Sequence, residues 1–389
     1  SWVKKFHHNN DNKIINYKSL KWETYTISER VSNIILSSEI LDITINKEIS
    51  DSIFNQAKLI YERMEFFGEN NTGNHIINNT RALYLAGVYF KSKKLIEISF
   101  LLIKNELFKL ISHEGFLREG SSHYQFIFTR WIIEIYIFAK KSNDKNMLIL
   151  LNNIIYKLFD ACSFFLVKRN KNYDIPYFGD ISPDYEPSWL IDIFQSKLFN
   201  KNYKKLKYNS WSNLFANHNQ IFNYSFSNIN FNKNILNKNS GWFRLSQYNH
   251  TIFSRINKYE PIIYPTHEHN DQGHLVCYYN NELILNDSGR ANYLNDDYKS
   301  SIFHNTILIN DKGISPSYKK YKKIYKFKNS IIFKKFKNFF IMSYMCDALK
   351  RFQINNYNRS VLISDSELKI SDKFIILKRN KKYNIKRIF

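Results

Sequence analysis

Apolar residues change their rhythm once along this chain, and that change divides what the chain can fold into. From about residue 28 to 200 they recur at helical spacing, as in Ile53, Ala57, Ile60, Tyr61 and Met64, then Ala82, Leu85, Ala86, Tyr89 and Phe90. Residues three and four apart line one face of a helix. Further helices are expected at 94–112, 121–140 and 146–168, joined by short polar stretches such as Lys141 to Lys145, so successive antiparallel helix pairs are the economical arrangement. After Gly241 the apolar residues come instead in short β-branched and aromatic runs. Thr251–Ile256, His274–Tyr279, Glu282–Leu285, Thr306–Ile309, Ser330–Phe333, Phe339–Tyr344, Ser360–Ile363 and Leu368–Ile370 read as strands. Asn280-Asn281 is expected to form a hairpin turn between two of them, because Asn tolerates the positive φ such turns require. Between about 201 and 240 the chain turns to Asn, Lys and Ser with scattered aromatics, which reads as a connector. The expected class is therefore α+β and multidomain, with a helical domain over 1–237 and an antiparallel β-sandwich over 238–389.

At 389 residues the chain exceeds a single ordinary core, and 32 Phe with 27 Tyr supply enough apolar surface to offset the entropy of ordering it. Global disorder is excluded. The formal charge of +23 attracts anionic polymers, although a residue set rich in Lys, Asn, Ile, Phe and Tyr also arises from biased nucleotide composition. A nucleic-acid binder is not expected, since no recognition helix, RNP-type strand or zinc-finger spacing is visible. Cys162, Cys277 and Cys346 are scattered, which argues against both a disulfide framework and a thiolate metal site. No apolar run reaches the roughly 18 to 20 residues of a membrane span. The nearest, Trp131 to Ala139, contains Glu134.

Polar clusters gather around the few glycines. The densest is His267-Glu268-His269-Asn270-Asp271-Gln272-Gly273-His274, followed by Asn286-Asp287-Ser288-Gly289 and Phe303-His304-Asn305-Thr306. His267 and His269 point to one face if extended, and two imidazoles with one carboxylate, as in His269, Asp287 and His304, form a familiar zinc set. His274 is an alternative ligand on spacing alone. A second cluster, Gly73-Asn74-His75, opens a helix, and Asn74 is expected to cap it. A third, Gly115 to Gln125, carries Arg118, Glu119, His123 and Tyr124 into an apolar helix, and reads either as an active-site rim or as a capped helix start. The fourth, Pro176-Tyr177-Phe178-Gly179-Asp180, reads as an ordinary surface turn.

Taken in order, GNHIINNTRALYLAGVYF, HEGFLREGSSHYQ and IPYFGD in the helical half, then HEHNDQGHLVCYYNNELILNDSGR, YKSSIFHNT and NRSV in the strand half, resemble the heparinase II/III-like family of polysaccharide lyases. The resemblance spans about residues 20 to 377. It implies an incomplete α/α toroid packed on an antiparallel β-sandwich, a uronate-containing acidic polysaccharide of the heparin or alginate type as substrate, and a periplasmic or extracellular location. By the same resemblance Asn74 and His75 match the pair that engages the uronate carboxyl group, Tyr124 the catalytic tyrosine, and His267 the histidine on the sandwich side. His269, Asp287 and His304 match residues that hold zinc in several members, where the ion is structural and pins the loop bearing His267. Tyr298 matches a tyrosine that often precedes the HNT segment, and Arg118, Glu119 and His123 fall on the substrate side of the turn, Glu119 to orient Arg118 or Tyr124.

The chemistry explains these residue types. Cleavage at O4 of a uronate by β-elimination removes the C5 proton, which is weakly acidic until charge on the neighbouring carboxyl group is stabilised. Asn74 and His75 can donate hydrogen bonds there, and Tyr124 or His267 can take the proton. A hydrolase would need paired carboxylates around a water, and no convincing pair stands at motif positions. The rival reading keeps the fold as a non-catalytic glycan-binding or envelope-assembly protein. Two departures stand out. Asn358 replaces the His that relatives commonly carry, and the chain stops at Phe389, where family sandwiches continue, so a C-terminally truncated sandwich is expected.

Overall fold

Among the described residues, six long helices form in the half where the apolar spacing predicts helices. The computed structural model describes residues 19–69, 71–169, 172–181, 211, 214, 235–237, 240–256, 267–290, 296–314, 329–337, 339–364, 367–377 and 382–388. Within these, α1 spans Thr24–Leu41, α2 Lys47–Glu62, α3 His75–Tyr89, α4 Lys93–Leu110, α5 Ser122–Ser142 and α6 Lys145–Phe164. Local chemistry sets their ends. The Asn46 side chain accepts from Ile49 N at 2.9 Å to start α2, Asp144 accepts from Met147 N at 3.1 Å to start α6, and Asp42 closes α1 in the left-handed region at φ 53°. The expected connector over 201–240 and the boundary near 238 lie outside the described residues, apart from Trp211, Leu214, 235–237 and Ser240.

By mutual contact the chain divides into two units. The first comprises Ser1–Leu110, Ile127–Tyr156 and Pro187–Phe226, and the second Ile111–Phe126, Lys157–Glu186 and Ser227–Phe389. In the first, α3 packs against α1, α2 and α4. It is buried from Ile76 through Gly87, so its polar residues must find partners inside the protein. Arg81 does so, with Glu29 at 3.1 Å, Glu134 at 3.0 Å and Ser32 Oγ at 3.1 Å. Among the described residues one helix, Lys145–Phe164, is long and apolar enough to cross a membrane by length and composition. Of its most apolar window 56% is buried within the protein, and core helices pass the same test.

The second unit holds the strands: β1 Val167–Arg169, β2 Asn172–Asp174, β3 Ile235–Asn237, β4 Trp242–Gln247, β5 His250–Arg255, β6 Leu275–Tyr279, β7 Glu282–Leu285, β8 Ile307–Ile309, β9 Asn329–Lys335, β10 Phe339–Cys346, β11 Ile354–Ile363, β12 Leu368–Ile376 and β13 Ile385–Arg387. A short helix, α7 (Asp347–Lys350), precedes β11. All pairings are antiparallel, and the sheet orders are β3-β4-β5-β6-β7, β12-β11-β10-β9, β13-β8 and β1-β2. Asn280 and Asn281 make the β6–β7 turn with φ of 49° and 65°, as expected. Some expectations fail, since β1 and β2 lie in the half read as helical and β3 and β13 were not expected as strands. The helix expected to reach 168 ends at Phe164, where Phe165 and Leu166 bond back to Cys162 and Ser163 in tight turns, and Val167 then pairs with Asp174. Strand β4 is also additional: Phe243 and Leu245 alternate with Arg244 and Ser246 as in a strand, although Trp242 to Leu245 are all buried.

Alternate residues of β4, β5 and β6 (Phe243, Leu245, Ile252, Leu275 and Cys277) join Ile354, Tyr357, Val361 and Ile363 of β11 in one apolar core. The other face of the five-stranded sheet meets aromatic residues from 111–126 and 157–186. Trp242 lies 4.8 Å from Phe165 and 5.2 Å from Phe178, and Phe253 lies 5.7 Å from Phe164. Arg244 adds bonds to the carbonyls of Phe164 and Leu166 at 2.9 and 3.1 Å. These contacts bring two segments of the helical half into the strand-bearing unit, and they carry Tyr124 and Asp180 with them.

Candidate functional site

Tyr124 occupies the first turn of α5, and the sequence around it explains how it is held. Ser121 Oγ accepts from Tyr124 N at 3.0 Å, capping the helix, and donates to the Asp180 carbonyl at 2.6 Å. Ser122 Oγ donates to the Pro176 carbonyl at 2.7 Å and accepts from Phe178 N at 3.1 Å. The Ser-Ser pair thus fastens the 176–180 segment across the start of the helix. Gly179, at φ +68°, lies where a Cβ would overlap the carbonyls of His267 and Gly120. Asp180 N donates to the His267 carbonyl at 2.9 Å, which brings in the strand-side loop.

The Tyr124 ring stacks on the His267 imidazole, with centroids 3.6 Å apart and planes 18° from parallel. Both nitrogens of His267 face carboxylates: Nδ1 is 3.0 Å from Asp180 Oδ2, and Nε2 is 3.4 Å from Glu119 Oε2. Glu119 is fully buried and faces His267, and Arg118 Nε donates to the Ile111 carbonyl at 3.0 Å. Burial would raise the Asp180 carboxyl, but bonds from His267 and His269, with Lys299 nearby, hold it well below the ordinary carboxylate range. Arg290 Nη1 donates to the same carboxylate at 2.9 Å. His123 is buried beside this group, and burial pushes its imidazole down to about 4. Tyr298 is half-buried in a short turn, Asp296–Lys299, with its ring 5.2 Å from that of Phe303.

His269, Asp287 and His304 are buried and offer ligand atoms within 4.8 Å of one another, so they can hold a metal ion. The donor set fits one. His269 Nε2 donates to Asp180 Oδ1 at 2.8 Å and His304 Nδ1 to Asp287 Oδ2 at 2.7 Å, so in the neutral rings the other nitrogen of each carries the lone pair a metal ion needs. Those nitrogens, His269 Nδ1 and His304 Nε2, are buried and have no hydrogen-bond partner. His274 does not compete as a ligand. Its Nδ1 accepts from Asn305 N at 2.9 Å and its Nε2 lies 3.0 Å from Asp287, so it orients the carboxylate. Burial would raise Asp287, but His274 and His304 hold it well below the ordinary carboxylate range. Arg359 of β11 fixes the flanking loops by donating to the carbonyls of Gly273 and Asn305 at 2.7 and 2.9 Å.

Asn74 and His75 belong to the first unit. Asn74 stands at the N-cap of α3 with helical backbone angles (φ −61°, ψ −22°), and its side chain makes no capping bond. The capping role expected from its position is therefore not the one it fills, and it is buried all the same. His75 Nδ1 lies 2.9 Å from Glu65 Oε1, and the His75 ring packs 4.6 Å from that of Tyr25. Glu65 is held in turn by Asn79, which donates to Oε2 at 3.1 Å and accepts from Glu65 N at 2.9 Å.

The residues that sequence reading passed over are Arg290 and Glu65, and Asp180 was read as part of a surface turn. Asp180 reads as a surface turn because Pro and Gly flank it, yet it is completely buried. Its only signal was the place of IPYFGD in the ordered set of motifs.

Residues 235–385 match the family model described as Heparinase II/III-like, C-terminal. No curated protein matches the chain in sequence. Among solved structures the chain is similar to heparinase III, with a TM-score of 0.67 and 16% identity over 96% of this chain and 59% of that one. It is also similar to a mutant of the heparan sulfate lyase HepC from Pedobacter heparinus, with a TM-score of 0.59 and 17% identity over 96% and 57%. The chain thus spans less than two thirds of the length of either. At these identities the likeness is one of fold: a heparinase III-like arrangement with helices in the N-terminal part and sheets in the C-terminal part.

Proposed function

Because residues 235–385 match the heparinase II/III-like C-terminal family model, we propose that the chain is a polysaccharide lyase cleaving a uronate-containing acidic polysaccharide by β-elimination. The architecture proposed with it is an incomplete α/α toroid over 1–237 followed by an antiparallel β-sandwich over 238–389. The observation that carries the reading is the Tyr124–His267 stack, with both imidazole nitrogens facing carboxylates.

The His267 ring is occupied in holding Tyr124, stacked on the phenol and tied through Nδ1 to Asp180. Tyr124 therefore takes the C5 proton and returns one to the departing O4, while His267 keeps the phenol ring in place. One group performing both transfers requires the C5 proton and O4 on the same face of the sugar. Asn74 and His75 are assigned to the uronate carboxyl group, where hydrogen bonds stabilise the negative charge that develops as the proton leaves. Glu65 orients His75 for that task by fixing Nδ1. Arg118, Glu119, His123 and Tyr298 are assigned to the substrate side, with Glu119 acting through His267. His269, Asp287 and His304 would hold zinc, which supplies a fixed positive charge that pins the loop carrying His267.

Incubation with heparan-type, alginate-type and other acidic glycans tests this directly. The expected products carry a C4–C5 double bond, absorb in the near ultraviolet, and have the mass of a cleaved chain without added water. Cleavage with added water, or no product across the panel, overturns the reading. Binding without product favours the non-catalytic alternative.

A further inference from the structure

We propose that Asp180 is a positioning residue that couples the metal triad to His267. One buried carboxylate divides its oxygens between two histidines of different roles: Oδ1 accepts from His269 Nε2 at 2.8 Å, and Oδ2 accepts from His267 Nδ1 at 3.0 Å. Arg290 Nη1 at 2.9 Å and Lys299 Nζ at 3.7 Å hold Oδ2 from other directions, so the carboxylate cannot rotate away from either ring without losing an ion pair. The main chain of Asp180 repeats the link. Its N–H reaches the His267 carbonyl at 2.9 Å, and its carbonyl accepts from Ser121 Oγ at 2.6 Å, the atom that caps the helix bearing Tyr124.

A carboxylate on the outer nitrogen of a ligand histidine fixes its tautomer and strengthens it as a ligand. Here the same carboxylate also serves His267. A cation drawing electron density from His269 makes its Nε2–H a stronger donor to Asp180, and the bond to His267 must readjust through the shared group. Filling of the triad is thereby reported at the imidazole beneath Tyr124. The inference rests on the metal reading above and needs no lyase activity.

The test uses the full chain, stripped with chelator, labelled with 15N-histidine and titrated with zinc chloride. His267 is identified by the signal lost in His267→Gln. In the native chain the His267 ring-nitrogen signals are expected to move as zinc binds. Asp180→Asn keeps the shape, but one of its two ends is a donor and cannot accept from a histidine. Zinc affinity is expected to fall by about 10- to 100-fold in this variant, and His267 should no longer follow zinc. Native affinity in Asp180→Asn, His267 signals indifferent to zinc in the native chain, or failure of the native chain to bind zinc each overturns the proposal. If the variant does not fold, the native titration decides alone. A chain that couples zinc to His267 yet cleaves no glycan keeps this proposal and loses the lyase reading.

Discussion

Tyr124 and His267 are stacked at 3.6 Å although 142 intervening residues separate them, and the same histidine is braced edge-on by Asp180 and Glu119. The stack depends on the tyrosine ring, whereas the proposed proton transfer depends only on its hydroxyl. Tyr124→Phe should therefore keep the fold, with stability changed by about 1 kcal/mol. Its turnover on the glycan identified by the panel should drop by about 10²- to 10⁴-fold. Full turnover in a folded Tyr124→Phe protein would remove the phenol from the mechanism.

Glu65 is the anchor of His75. Its two oxygens accept from His75 and Asn79, so Glu65→Gln, which keeps only one acceptor, cannot satisfy both. A loss of about 10- to 100-fold in kcat/KM is expected from misplacing His75, with a larger loss in Glu65→Ala. Steady-state kinetics beside thermal unfolding separates this from a folding defect. Unchanged kinetics in both variants would show that the orientation of His75 does not matter.

The stability of the chain should depend on pH through His123. Its folded value is pushed down to about 4 by burial, below the ordinary 6.5 of an exposed imidazole. Between those values the unfolded chain binds a proton that the folded chain refuses, so stability falls as pH drops through that window and levels off below it. The total loss is about 3 kcal/mol. Urea unfolding between pH 4 and 7 reads the slope, and His123→Gln should flatten it. A variant with the native slope would assign the effect to another group.

Arg359 is buried across from Asp372, at 2.8 Å from Oδ1, and supports the loops on either side of the metal triad through the carbonyls of Gly273 and Asn305. Arg359→Met removes four hydrogen bonds at once, two to Asp372 and two to the loop carbonyls, while Arg387 and Tyr357 still reach Asp372. The expected cost is roughly 3 kcal/mol, measured by urea unfolding, and zinc affinity should weaken with it. A neutral effect on both would show that the loops hold themselves.

Local patterns proved readable where one face of an element meets solvent. Helix α2 announces itself through Ile53, Ala57 and Ile60, and the β6–β7 hairpin through Asn280-Asn281. Strand β4 was not read although Phe243 and Leu245 alternate with Arg244 and Ser246, and both of its faces are covered, one by the shared core and the other by Phe165 and Phe178. Asn74 was misjudged too. Its position says cap, but its helical backbone angles and buried side chain commit it elsewhere.

What the sequence determined alone was the order of element types and the chemical kinds of the candidate site: imidazoles, a phenol and carboxylates in compact motifs. Periodicity and motif spacing are local, and they survive in one dimension. Only the tertiary structure decided that Asp180 in the turn at 176–180 is buried, that it serves two histidines at once, and that Glu119 faces His267. Partner choice for a buried polar group depends on which distant segments exclude water from it, and that exclusion is created by packing rather than by neighbours along the chain.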